Sequence, residues 1–127
     1  MARHNILGKE GERMATEFLV KQGYIIRETN WKLNHLEIDI IAQEKGNRLH
    51  IVEVKTRSND KNFDPLDAID KKKIAHLIAA ANAYVMTTGL DYDVQFDIII
   101  IVGNTPDEFR LDYIPDAFYP PLKSYRR

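Results

Sequence analysis

Apolar residues recur at helical spacing near the start of the chain. Within residues 8–22, Ala15, Phe18 and Leu19 lie three and four positions apart, which places them on one face of a helix. Gly23 follows directly, and glycine commonly ends a helix. The pattern therefore predicts a first helix over residues 8–22.

A second helix is predicted from about residue 65 to Met86. Asp64 is placed to cap it, Pro65 suits its first position, and Asp67 suits the positive end of its dipole. Its buried stripe repeats at helical spacing and consists of Ile74, Leu77, Ile78, Ala81 and Val85.

Runs rich in β-branched and aromatic residues predict the strands. They fall at residues 24–31, 36–42, 49–56 and 94–102, and residues 109–114 are predicted to add one short edge strand. The fourth contains an unbroken apolar run at residues 98–102, which is typical of a central strand covered on both faces. Pro115, Pro120 and Pro121 then predict an end to regular structure.

The order of these elements predicts the fold class. It is α/β (α+β mixed), with an αβββαβ core in which a mixed sheet is flanked by helices. A length of 127 residues without repeats or linkers suits one domain over residues 1–127, with its core at about 8–118. We expect residues 119–127 to form a mobile tail.

Charged residues interrupt two predicted strands where a core strand would be apolar. Glu37 and Asp39 are two positions apart in one strand, as are Glu53 and Lys55 in the next, so each pair shares a face. A three-residue turn at 45–47 would pair Asp39 with Glu53 and Glu37 with Lys55. All four groups would then converge on one patch, whereas a two-residue turn would place the two sets on opposite faces.

The residues alone leave two interpretations of this patch open. In one, Asp39 and Glu53 bind Mg²⁺, which commonly uses one or two carboxylates and keeps several waters. Lys55 would then position a water for phosphodiester hydrolysis. In the other, the same groups and Glu37 form a buried salt-bridge cluster without a ligand.

The composition narrows the class of protein. The chain is 44% hydrophobic and 29% charged, and it has no cysteine, which excludes disulfides and thiolate metal sites. No apolar run approaches the roughly 20 residues that span a bilayer, and we expect a cytoplasmic protein. The formal net charge of −1 is not the strongly basic one of many nucleic-acid binders.

A local basic surface is nevertheless predicted close to the acidic patch. Its candidate nucleic-acid-binding residues are Arg57, Lys61, Lys71, Lys72 and Lys73. For a charge run taken alone, a solvated helix face is the simpler explanation.

The spacing of the charged residues resembles a known nuclease motif. Asp39, followed after a short hairpin by Glu53-Val54-Lys55, resembles the D…(E)xK motif of the PD-(D/E)XK nucleases. The wider pattern, over about residues 8–118, resembles the YraN-like family of uncharacterised bacterial proteins. The matching segments are Gly8-Lys9-Glu10-Gly11-Glu12 with Ala15, Glu37-Ile38-Asp39-Ile40-Ile41, Val52-Glu53-Val54-Lys55-Thr56-Arg57, Ala68-Ile69 with Lys73, and Phe96-Asp97. Leu36 departs from the pattern, since much of the family has glycine there.

This resemblance implies a restriction-endonuclease-like fold, similar to that of archaeal Holliday-junction resolvases. Asp39 and Glu53 would then be the ligands of Mg²⁺ or Mn²⁺, with the Val54 carbonyl as a third. Lys55 would assist the attacking water, and Glu12 would place another catalytic carboxylate beside the metal. Lys73 would face DNA phosphates.

We therefore expect a divalent-metal-dependent endonuclease acting on structured or branched DNA. The alternative is a nucleic-acid-binding protein of the same fold without catalysis, and a third is a protein-interaction module. The complete set of Glu12, Asp39, Glu53 and Lys55 argues against the third, because a degenerate descendant would have lost a member. Net charge argues against tight binding by a monomer, whereas a symmetric homodimer would join two basic patches across a junction.

Overall fold

The computed structural model describes residues 2–58, 69–89 and 91–120, with side chains from Ile6 onward. In this part of the chain the helices are α1 (Ala2–Lys21) and α2 (Lys71–Thr88). The strands are β1 (Ile25–Leu33), β2 (Leu36–Gln43), β3 (Arg48–Arg57), β4 (Asp93–Val102) and β5 (Arg110–Phe118), and a short 3₁₀ turn, Pro106–Glu108, precedes β5. Neither of these two helices is long and apolar enough to cross a membrane.

The strands form one mixed sheet in the order β1-β2-β3-β4-β5. β3 and β4 run parallel, and the other neighbours are antiparallel. Successive residues of β3 pack on different helices, because side chains alternate along a strand: Ile51 packs with Leu77 of α2, and Val52 with Leu19 of α1. The helices therefore cover opposite faces of the sheet, and the predicted fold class is confirmed.

Both helices begin at residues that the sequence did not indicate. α1 starts at Ala2 rather than at residue 8, since no glycine or proline precedes Gly8 to interrupt it. α2 starts at Lys71 rather than near residue 65, because Asp70 is extended and its carboxylate accepts the amide of Lys73 over 2.8 Å. The expected cap, formed by Asp64, Pro65 and Asp67, lies outside the described residues.

The last strand continues beyond the point where proline was expected to end it. β5 runs to Phe118 with Pro115 inside it, which an edge strand tolerates because one side of its backbone has no ladder to maintain. Asp116 adopts a positive φ of 52°, and its amide donates to Oδ1 of Asp97 over 3.0 Å. Most of the expected mobile tail, residues 121–127, lies outside the described residues.

The β2–β3 hairpin has the predicted register near its turn. Ile41 pairs with Ile51, the amide of Glu44 donates to the carbonyl of Arg48 over 3.2 Å, and Gly46 supplies a positive φ of 94°. The ladder covers four pairs, from 43 with 49 to 40 with 52. The pairs of 39 with 53 and 37 with 55, which the sequence also predicted, are not part of it.

Candidate active site

β2 and β3 stop pairing where their charged residues begin. The last pair is Ile40 with Val52, although both strands run on for several residues. Just beyond it, the amide of Val54 donates to Oδ2 of Asp39 over 2.8 Å. A carboxylate thus takes the place that a backbone carbonyl would hold in a continued ladder, which anchors Asp39 against β3.

Glu53 lies in the same region and is nearly buried, with 4% of its surface exposed. Its Oε2 atom lies 3.4 Å from Nζ of Lys73 and 3.7 Å from Nζ of Lys55. The structure thereby brings Glu53 and Lys55 together, as predicted from the sequence. It also places Lys73, which was expected only at DNA phosphates, in direct contact with the acidic group.

Burial raises the proton affinity of both carboxylates. Burial, followed by the charge of Asp39, raises the pKa of Glu53 to about 7, against the opposing effect of Lys73 and Lys55. Burial also raises the pKa of Asp39, and the hydrogen bond from Val54 offsets only part of this rise. A buried and a half-buried carboxylate whose charges the lysines do not fully compensate favour a bound cation or proton.

Glu12 approaches this pair from α1. It is half-buried, and its pKa is raised by burial and then by the charge of Asp39. The structure thus brings Glu12 within electrostatic range of Asp39. It lines a smaller cavity of about 290 Å³ together with Asn30 and Thr16, while the main pocket of the site lies beside α2.

Gly11 sets how closely α1 approaches the sheet. The residue is buried, and a Cβ atom at this position would collide with the side chain of Thr56 in β3. Glycine is therefore needed for this packing distance. Because Glu12 is the next residue, the same contact fixes the height of its carboxylate above the sheet.

Asn30 is a site residue that the sequence reasoning missed. It has a positive φ of 53° in the middle of β1, and the β1–β2 register places it opposite Asp39. Its side chain hydrogen-bonds to Glu12 and lowers the pKa of that carboxyl. The available signal was the residue type, since asparagine accepts the left-handed conformation more readily than most residues.

Side-chain alternation in β2 is interrupted at the same level. Ile38 packs in the cluster under α2, whereas Ile40, two residues later, packs in the cluster under α1. A regular strand would direct both to one face. Asp39 lies at this change of face, which lets it interact both with Glu12 of α1 and with Glu53.

A pocket of about 570 Å³ lies beside the separated strands. It is lined by Glu37, Lys55, Arg57, Asp70, Lys72, Lys73 and His76. Three of the predicted nucleic-acid-binding residues are therefore in its wall, while Lys71 is exposed on α2 and does not line it. Lys61 lies outside the described residues. His76 was not singled out from the sequence, because a lone histidine in a helix is a weak signal.

A second buried polar network lies towards the other end of β3. Nδ1 of His50 is 2.7 Å from Oδ2 of Asp97, and its Nε2 is 2.6 Å from Oε1 of Glu44. Tyr113 also donates to Oδ2 of Asp97 over 2.6 Å. His50 is only 1% exposed, so we regard this network as structural and not as part of the site.

The oxygen donors at the strand separation suit a hard cation such as Mg²⁺, which often takes one or two carboxylates and several waters. Asp39 and Glu53 provide that number, with their charges only partly compensated. Across residues 2–58, 69–89 and 91–120, no three or more His, Asp or Glu side chains are grouped so as to hold a metal ion. Waters and backbone oxygens would therefore have to complete the coordination.

The mixed sheet, its two covering helices and the acidic groups at the separation of β2 and β3 define an α+β protein with a restriction-endonuclease-like core. The chain belongs to the uncharacterised protein family UPF0102, whose model matches residues 11–101. The expected membership of the YraN-like family is thereby confirmed.

Relatives of similar length have been found in several bacteria. The UPF0102 protein of Bacteroides thetaiotaomicron is 49% identical over 122 residues, which cover 96% of this chain and 99% of the relative. That of Parabacteroides distasonis is 48% identical, over 97% of this chain and 100% of the relative. That of Flavobacterium psychrophilum is 50% identical, over 94% and 98% respectively.

Proposed function

We propose that this protein is a divalent-metal-dependent endonuclease that hydrolyses phosphodiester bonds of structured or branched DNA. The observation that carries the proposal is the convergence of Asp39, Glu53 and Lys55 beside a pocket lined by further cations. Hydrolysis of a phosphodiester needs stabilisation of negative charge, a positioned water and a bound backbone. This set of side chains is suited to all three tasks.

Each residue has a distinct task in this proposal. Asp39 and Glu53, with the carbonyl of Val54, would hold Mg²⁺ or Mn²⁺, which when bound supplies charge stabilisation at the phosphate. Lys55 donates a hydrogen bond that orients the attacking water. Glu12 adds a carboxylate from the α1 side, beside Asp39.

The pocket cations would bind the backbone next to the scissile bond. Arg57 and Lys72 both line the pocket that contains Lys55. Phosphates held there would keep the strand against the acidic pair. Such contacts add affinity without sequence preference.

Binding without catalysis is the second candidate, and one observation favours it. Lys73 and Lys55 both lie within 3.7 Å of Glu53. These ammonium groups already compensate part of its charge, so the acidic group can persist as a structural ion cluster while the pocket binds nucleic acid. The two candidates differ only in whether a bond is cut.

The deciding experiment is incubation with linear, flapped, gapped and four-way-junction DNA, with Mg²⁺, with Mn²⁺ and with neither. Metal-dependent cleavage that is lost in Asp39→Asn and Lys55→Ala would support the nuclease. Lys45→Ala, which removes an exposed lysine from the β2–β3 turn, is the matched control and should cut normally. Binding of DNA without cleavage under every metal would support the second candidate.

The proposal also includes a homodimer on DNA and a location in the cytoplasm. A net charge of −1 leaves each chain with modest attraction for DNA, and a symmetric dimer would present two pockets to one junction. Light scattering with and without junction DNA tests the dimer, and cell fractionation tests the location. A monomer in both states, or recovery outside the cytoplasm, would contradict these parts.

A further inference from the structure

The separated end of β2 is tied to α2 by a histidine. The amide of Glu37 donates to Nε2 of His76 over 3.3 Å. Glu37 lies beyond the last β2–β3 pair, in the stretch of β2 that no longer follows β3. His76 is half-buried on α2, and both residues line the 570 Å³ pocket.

This tie is the counterpart of the hydrogen bond between Val54 and Asp39. In each case a backbone amide in the separated stretch is satisfied by a side chain, Oδ2 of Asp39 for one strand and Nε2 of His76 for the other. Backbone amides are strong hydrogen-bond donors and are nearly always paired in native structures. The two side chains therefore stabilise the arrangement in which β2 and β3 are separated. The pocket occupies the space that this arrangement leaves.

We propose that His76 is a positioning residue that holds the end of β2 away from β3 and thereby orients Asp39 towards Glu53. It acts on Asp39 through the backbone of Glu37, two residues earlier on the same strand. The expected effect of His76 on cleavage rests on the proposed nuclease function. The expected effect of His76 on the position of Asp39 does not depend on that function.

The chemistry of the contact dictates which substitutions are informative. Nε2 of a histidine accepts a hydrogen bond only when that nitrogen carries no proton, so the ring must hold its proton on Nδ1. Glutamine can place its Oε1 atom near the position of Nε2 and accept from the same amide. Leucine fills comparable space without an acceptor.

Amide hydrogen exchange of the full-length protein tests the proposal. The Glu37 amide reports the tie directly, and the Val54 amide reports the position of Asp39. In His76→Leu, both amides should exchange about 5-fold faster or more, as expected for loss of one hydrogen bond. His76→Gln should return both rates to near the parent values. Asn82→Leu, at an exposed position of α2, is the matched control and should leave both unchanged.

Two results would overturn the inference. One is a Val54 amide that exchanges at the parent rate in His76→Leu, because Asp39 would then hold its place without the tie. The other is failure of His76→Gln to restore an amide that His76→Leu has exposed, which would show that ring packing, not the acceptor, matters.

Kinetic measurements separate this inference from the proposed function. If the parent cuts DNA, His76→Leu should lower kcat about 10-fold or more while changing KM little, in the range found when a residue orienting a metal ligand is removed. His76→Gln should recover most of that loss, and a pure KM effect would contradict a positioning role. A parent that never cuts would overturn the nuclease proposal, while the exchange rates would still decide the role of His76.

Discussion

Oδ2 of Asp39 accepts the amide of Val54 over 2.8 Å, so the strand that carries one acidic residue of the site holds the other in place. A side-chain hydrogen bond, in place of pairing between the two strands, therefore links Asp39 to the strand of Glu53. The charge of Asp39 also acts strongly on Glu53, because Glu53 is buried and Asp39 is partly buried.

Asp39→Asn tests this effect of Asp39 on Glu53. Asparagine keeps an oxygen that can accept from Val54 but removes the charge that, after burial, does most to raise the pKa of Glu53. The pKa of Glu53 should therefore fall below about 7 while staying above the ordinary 4.5, because burial persists. A ¹³C NMR titration of the Glu53 carboxyl measures the change, and an unaltered value would show that the two groups are not coupled.

Neutralising pocket cations should weaken DNA binding without changing sequence preference. Arg57 and Lys72 line the pocket, whereas Lys71, on the first turn of α2, does not. If Arg57 and Lys72 both contact phosphates of duplex DNA, the double variant Arg57→Gln/Lys72→Gln should bind with a weaker salt dependence. The slope of the logarithm of the binding constant against the logarithm of salt concentration should shrink by about 0.9 for each charge removed. Fluorescence anisotropy against salt concentration checks this. If Lys71→Gln reduces the affinity and the salt slope by as much for its one charge, only the general charge of the surface matters.

The His50 network should make stability depend on pH. Burial lowers the pKa of His50, but hydrogen bonds to Asp97 and Glu44 outweigh it, so the pKa is raised above 6.5. Its stabilising contribution is then complete below 6.5 and is lost as pH rises through the raised pKa. Burial raises the pKa of Asp97, but hydrogen bonds from His50 and Tyr113 lower it below 3.8. The stabilising contribution of Asp97 is present above pH 3.8 and is lost as the pH falls through its lowered pKa.

Urea unfolding from about pH 3 to about pH 9 checks the prediction for His50. The difference in unfolding free energy between the parent and His50→Gln should shrink as the pH rises above 6.5. His35→Gln, at an exposed position in the β1–β2 turn, is the matched control and should track the parent. A constant difference across that range would show that His50 is held as the neutral ring.

Two glycines of α1 should respond in opposite directions to alanine. Gly11→Ala should destabilise the protein by about 1–3 kcal/mol, because its Cβ would collide with Thr56. Gly8→Ala has open space and should stabilise it by about 0.5–1 kcal/mol through helix propensity. Thermal or urea unfolding of both variants measures the contrast. A stabilising Gly11→Ala would mean that α1 does not approach β3 as closely as the structure indicates.

The hairpin register was predictable because it depends on local turn length. The residues 45–47 form the turn, and the pairs from 43 with 49 to 40 with 52 follow from it. The separation beyond Val52 was not predictable, since it depends on Asp39 meeting the Val54 amide and on His76 of a distant helix. Tertiary contacts of this kind have no signature in strand periodicity.

The two misplaced boundaries have different causes, one local and one tertiary. Asp64 and Asp70 are both plausible helix caps by residue type; Asp70 accepts the Lys73 amide, and Asp64 lies outside the described residues. Pro115 would end a central strand, but β5 lies at the sheet edge, where a missing amide costs little. The edge position of this strand was predicted, but its continuation past Pro115 is accompanied by a tertiary contact, the hydrogen bond from the Asp116 amide to Asp97, which one segment does not reveal.

The parallel pairing of β3 and β4 has a consequence for how the chain folds. Each pair in this ladder joins residues 45 positions apart, while β1, β2 and β3 are connected by short turns. Contacts between distant residues form slowly because a long loop must close first. The hairpin should therefore bring Asp39 and Glu53 together before α2 delivers Lys73, so that early folding has to tolerate their repulsion. Protonation of Glu53 or a divalent cation would relieve it, which makes the kinetic barrier to folding sensitive to the same site that is proposed to cut DNA.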